Sequence, residues 1–175
     1  MNKVPAPKIL INTSSWINIF EVGLHSYLIE NFDIITTPKV VEEIKEGEGF
    51  AEDAEIFKNY IDKERIQIIQ KSKVPDKIKH EISISSGEIE LASTAFNNRD
   101  FIILIDDSKV YRVLERIGIK YISSVNIVID ASITGHINKK QAFEKLDKLK
   151  KSFSDEAINK AKDVIINGNQ NQSSG

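Results

Sequence analysis

FIILIDDSKVYRVLERIGIKYIS, residues 101–123, reads as strand, helix and strand in quick succession. Phe101–Ile105 is an unbroken apolar run of the kind buried on both faces of a parallel sheet. The helix expected over 108–118 closes at Gly118, and 120–123 resumes as strand. Two strands joined through a helix return to run parallel, because a tight antiparallel turn would leave no room for it. The acidic pair Asp106-Asp107 sits where the first strand gives way to its helix.

The same grammar extends outward from this unit. KILIN (8–12), DIITT (33–37) and IQIIQ (66–70) are short runs rich in β-branched residues and read as strands. From Ser14, Trp16, Ile17, Ile19 and Phe20 recur on a helical period that Gly23 stops. Thr37-Pro38 marks a second helix start, since threonine caps and proline suits the first helical position. Further helices are expected over 50–60, after Ser86-Gly87, and over 125–136, 139–153 and 155–166; the polar stretch 71–83 is a loop or a short helix. Strands alternating with helices imply a three-layer α/β/α sandwich with a mainly parallel central sheet of about five strands. The expectation is one domain over residues 1–167 and a disordered tail over 168–175.

At 175 residues, 41% hydrophobic and 29% charged, the chain can bury a proper core. The net charge of −2 exerts no global pull on nucleic acid or membrane, so an anionic partner would need a local basic patch. The absence of cysteine excludes disulfides, thiolate metal sites and a cysteine nucleophile. No signal-type or membrane-spanning apolar run occurs, which leads to the expectation of a soluble cytoplasmic protein. Neither GxxxxGK[ST] nor GxGxxG is present, against a nucleotide-binding phosphate loop.

Four polar positions stand at strand ends or helix starts: Asn12, Glu43, Glu88 and the pair Asp106-Asp107. A parallel sheet gathers the C-terminal ends of its strands along one edge, where ligands bind. Each position also has a plain explanation. Asn12 could be a turn residue, Glu88 a first-turn glutamate favoured by the helix dipole, and either aspartate a helix cap. Helical phasing puts Glu43 beside the apolar stripe of its helix and turns Glu42 toward solvent. It likewise puts Glu88 on the face of Ala92 and Ala95, with Glu90 about 200° away. Together the four have the character of a hard-cation site with one charge missing, since oxygen donors suit Mg²⁺ and Mn²⁺.

Taken in order, these blocks resemble the PIN-domain family. ILINTSSWI is similar to its opening strand, ITTPKVVEEI to the second block with Glu43, and GEIELASTA to the third with Glu88. FIILIDDSKVYRVLERIGIKYISS resembles the fourth, and ISSVNIVIDASITGHI together with the lysine-rich helix resembles the VapC-like branch. The resemblance implies a Mg²⁺- or Mn²⁺-dependent ribonuclease acting on an RNA substrate. It also implies a homodimer and, for a toxin, a small antitoxin partner. It makes Glu88 and Asp106 or Asp107 the principal ligands, directly or through water, with the helix start favouring Asp107, and makes Glu43 a water-orienting or outer-sphere group. Asn12 departs from the pattern, which has an aspartate there: the oxygen donor stays and the charge is lost. Three readings follow: a weak nuclease, a degenerate fold that binds RNA or protein without cutting, and an introduced substitution that tames a toxic product.

Lys109 and Arg112, three apart on the helix after the acidic pair, are the candidate RNA contacts. The six lysines of 139–151 read mainly as a solvated face balanced by Glu144 and Asp147. His25, His80 and His136 are scattered without metal-ligand spacing and are expected on the surface or in loops; Trp16 with Phe20 is expected in the core or at a dimer interface.

Overall fold

The computed structural model describes residues 5–70, 72–79 and 84–172. Its sheet has five strands, β1 (Lys8–Ile11), β2 (Asp33–Thr36), β3 (Ile66–Ile68), β4 (Phe101–Leu104) and β5 (Tyr121–Ile122). All neighbours pair in parallel, in the order β3-β2-β1-β4-β5. Among the described residues ten helices join and cover them. They are α1 (Thr13–Glu21), α2 (His25–Asn31), α3 (Pro38–Lys45), α4 (Glu52–Asp62), α5 (Asp76–Lys79), α6 (Ser86–Asn97), α7 (Ser108–Ile117), α8 (Ser124–Ile133), α9 (Lys139–Lys148) and α10 (Asp155–Gln172). A single 3-10 turn, Leu149–Lys151, follows α9. The expected three-layer α/β architecture is the one found.

The central strands carry the core. Ile9, Leu10 and Ile11 of β1 and Ile103 and Leu104 of β4 are at most 1% exposed. Burying each such side chain stabilises the fold by roughly 1.5–3 kcal/mol, so the sheet is held by its middle whatever occupies its polar end. Trp16 is fully buried, packs edge-on against Phe57 at 4.9 Å, and donates from Nε1 to the Asp53 carbonyl at 2.9 Å. It is a core residue. Gly118 ends α7 in the left-handed conformation, φ 70°, that glycine adopts without strain.

Strand order turns round between β1 and β4: β2 and β3 lie to one side, β4 and β5 to the other. Connections leaving the two central strands diverge there and open a crevice at their C-terminal ends. The ladder itself runs one residue further, through Asn12 N–H donating to the Leu104 carbonyl at 3.2 Å.

Two stretches differ from the sequence expectation. Residues 25–31 form α2, where no element is expected; Tyr27, Leu28 and Ile29 are buried in succession, and no side chain caps the helix. A seven-residue helix without a stripe or a cap leaves little periodic signal. Helix α10 continues to Gln172, past the point where the tail is expected to begin. Residues 1–4, 71, 80–83 (with His80) and 173–175 lie outside the described residues. Among the described residues no helix is long and apolar enough to cross a membrane.

Candidate active site

The crevice at the strand-order reversal is a cleft of about 500 Å³, and Asn12, Glu43, Glu88, Asp106 and Asp107 all line it. They arrive from four segments of chain. Asn12 ends β1 and caps α1, its Oδ1 accepting from Thr13 N–H at 2.7 Å. Glu43 comes from α3, Glu88 from the first turn of α6, and the aspartates from the link between β4 and α7.

The structure separates the two aspartates. Asp107 is exposed and caps α7, accepting from Lys109 N–H at 2.8 Å. Asp106 is 8% exposed and held by three donors. Ser124 N–H donates to Oδ1 at 2.8 Å, while Ser124 Oγ and Asn18 Nδ2 each donate to Oδ2 at 2.6 Å. Ser124 is the first residue of α8, so this carboxylate also meets the positive end of that helix. A buried anion needs this many partners, because taking it from water without them is costly.

Glu43 is half-buried and accepts from Thr13 Oγ1 at 2.7 Å through Oε2. Its other oxygen lies close over Gly87: a Cβ placed there would come within 2.6 Å of Oε1. Gly87 therefore leaves the room that Glu43 occupies. Glu42 points to solvent and pairs with Lys39 at 2.9 Å, as phasing predicts. Glu88 forms a capping box with Ser85: its Oε2 accepts from Ser85 N–H at 2.6 Å, and its own N–H donates to Ser85 Oγ at 3.2 Å. Glu90 goes elsewhere, buried against α3, where Oε1 accepts from Lys39 N–H at 3.2 Å. It serves as a cap from another helix, since the Thr37 side chain caps nothing.

Beside the cleft, Tyr111 stacks on Tyr121 at 4.6 Å and donates to the Ile105 carbonyl at 3.2 Å. Burial first, and the charge of Asp106 second, push the Tyr111 hydroxyl well above its ordinary value, so it remains a donor. Lys109 and Arg112 are exposed and line a second hollow, about 630 Å³, that runs along α7. His25 and His136 stand apart from both hollows. His136 lies against the Tyr27 ring at 4.6 Å, and His25, rather than lying loose on the surface, is packed among Trp16, Phe20 and Tyr60.

The donor set suits a hard cation, being carboxylates and an amide oxygen with no nitrogen or sulfur. Among the described residues no three histidine, cysteine, aspartate or glutamate side chains converge closely enough to hold an ion by themselves. An ion held there would have to keep most of its own waters, as Mg²⁺ does. Sequence reasoning missed Thr13, Asn18, Gly87, Ser124 and Ser152, which hold or adjoin the carboxylates. Ser85-x-x-Glu88 is legible as a capping box, and Asn18 stands out as a polar residue in an apolar stripe. Ser124 and Ser152 carry no sequence signal of their own.

A parallel sheet with a carboxylate-lined cleft at its strand-order reversal defines an α/β protein with an acidic candidate site. A model of the PIN-domain family matches residues 8–165, and the chain belongs to that family. PIN domains bind RNA and generally depend on a divalent metal. No curated protein matches the chain.

Proposed function

We propose that this chain is a Mg²⁺- or Mn²⁺-dependent endoribonuclease of the PIN type. The observation that supports it best is the meeting of Asn12, Glu43, Glu88, Asp106 and Asp107 in one cleft of a PIN-family fold. Asp106 and Glu88, with Asn12 and Asp107 at the margin, would hold the cation, partly through its waters. When bound, the cation polarises the scissile phosphate and makes a neighbouring water easier to deprotonate.

The chain's own residues do the rest. Asp106 presents a fixed charge, because Ser124 and Asn18 prevent it from turning away. Glu43, tethered at Oε2 by Thr13, has Oε1 left to orient the attacking water and accept its proton. As that water bonds to phosphorus, the ester P–O bond breaks and the departing oxygen takes up a proton from solvent. Lys109 and Arg112 bind the phosphates of the strand on its way along α7. Likeness to the toxin branch adds a homodimer and a small antitoxin partner to the proposal.

A second reading, a PIN-like module that binds RNA or protein without cutting, is favoured by Asn12. An amide in place of the family's aspartate removes a charge from the cation's surroundings. Mn²⁺-dependent RNA cleavage by the chain, by Asn12→Asp and by Asn12→Asp with Asp106→Asn separates the two. The nuclease reading expects Asn12→Asp to cleave faster than the parent and the Asp106→Asn change to abolish cutting. If neither the parent nor Asn12→Asp cuts any RNA, the nuclease reading is to be dropped.

A further inference from the structure

Asn18 is an amide on the apolar side of α1, next to Ile19 and only 5% exposed. Both ends of it are engaged across long sequence distances. Nδ2 donates to Asp106 Oδ2 at 2.6 Å, and Oδ1 accepts from Ser152 Oγ at 3.2 Å. We propose that Asn18 is a positioning residue for the cation-binding carboxylate of Asp106, and that Ser152 fixes which way the Asn18 amide faces. The inference rests on the nuclease reading above.

A carboxylate has about four acceptor positions. Ser124 N–H, Ser124 Oγ and Asn18 Nδ2 occupy three on Asp106 and leave one for a cation or its water. The directions of those three donors therefore set where the last position points. Two of them come from the start of α8, on the β5 side of the strand-order reversal. Asn18 comes from α1, on the β1 side, and supplies the only one of these three grips from across the crevice.

An amide serves this purpose in one orientation alone. Flipped, it would set its oxygen against the Asp106 oxygen, two acceptors face to face. Ser152 Oγ, donating to Oδ1, favours the productive orientation. Ser152 is itself brought to the cleft by contacts that bind the C-terminal segment to α1: Lys151 pairs with Glu21, and Lys145 Nζ donates to the Val22 carbonyl. On this account the chain beyond α8 helps build the site as well as the core.

Titration of Mn²⁺ alone by calorimetry, below the unfolding temperature, tests this in the parent and in the Asn12→Asp background. Asn18→Ala is expected to weaken Mn²⁺ binding about tenfold, the usual scale for losing a ligand's hydrogen-bond partner. Ser152→Ala should weaken it less, in the same direction. Asn18→Leu restores volume without a donor and serves as the packing control: it should bind Mn²⁺ as poorly as Asn18→Ala even where its Tm matches or exceeds the parent's. Parental Mn²⁺ affinity in Asn18→Leu overturns the proposal and leaves the nuclease reading standing. Absence of Mn²⁺ binding by both the parent and Asn12→Asp removes the cation reading and this proposal with it.

Discussion

Gly87 shapes the cleft by what it lacks. Its backbone is free of positive φ, so an alanine would fit the helix and even favour it, by about 0.5–1 kcal/mol. The obstacle is the Glu43 carboxylate, whose Oε1 would sit 2.6 Å from the new Cβ. That oxygen is the end of a flexible side chain, and it would swing aside rather than unfold the protein. Gly87→Ala should therefore keep or raise the urea midpoint while slowing single-turnover RNA cleavage on the order of tenfold or more, the scale of an ångström's misplacement. A fall in both together would place the role of Gly87 in folding. At this scale the sequence was read unevenly. Phasing is a property of one helix, and it turned Glu42 outward and Glu43 toward the cleft. The different surroundings of Asp106 and Asp107 were not legible, because the donors that hold Asp106 include Ser124, eighteen residues away.

Elements here are positioned by their ends. The Ser85–Glu88 box fixes the start of α6, and Glu90, two residues on, caps α3 from outside, so the helices carrying Glu88 and Glu43 are locked to each other. The contact between α1, α2 and α4 is aromatic: His25 stacks on Phe20 at 5.0 Å and meets Trp16 and Tyr60 edgewise or tilted. Its Nδ1 is buried with no hydrogen-bond partner. Burial lowers the imidazole below its ordinary 6.5, with Glu52 opposing in part. The folded state then binds this proton less readily than the unfolded chain, so the stability His25 contributes is present above pH 6.5 and is lost as pH falls through the lowered value. His25→Phe keeps the stack without the titration. Its Tm, relative to the parent's, should rise as pH is lowered from 7 to 5; a constant difference would mean that His25 does not titrate within the cluster. Neither the cluster nor α2 was legible, because both depend on what α4 brings to a segment with no periodicity of its own.

Across the whole molecule the topology was the most legible feature, since five short β-branched runs separated by helices leave few arrangements other than a parallel sheet. The charge distribution was legible only in part. A net charge of −2 conceals two poles: residues 38–62 hold eight carboxylates against three lysines, and 139–151 six lysines against two carboxylates. Much of the basic pole is engaged internally, Lys150 with Asp147, Lys151 with Glu21 and Lys145 with the end of α1. Lys109 and Arg112 differ, being exposed beside the cleft without an ion-pair partner among the described residues. An RNA strand reaching the cleft would be repelled along α3 and α4 and attracted along α7. Each phosphate neutralised on a single strand adds about 0.7 to the slope of log affinity against log salt. Reversing both charges, Lys109→Glu with Arg112→Glu, should weaken RNA binding at low salt and flatten that slope by about 1.4, the share of two phosphates. Fluorescence anisotropy with a labelled single strand across a salt series measures both quantities. The two residues lie on an exposed face, so the melting temperature should stay within about a degree or two of the parent's. An unchanged slope would move the strand's path off α7, and the other exposed lysines would be the next to reverse.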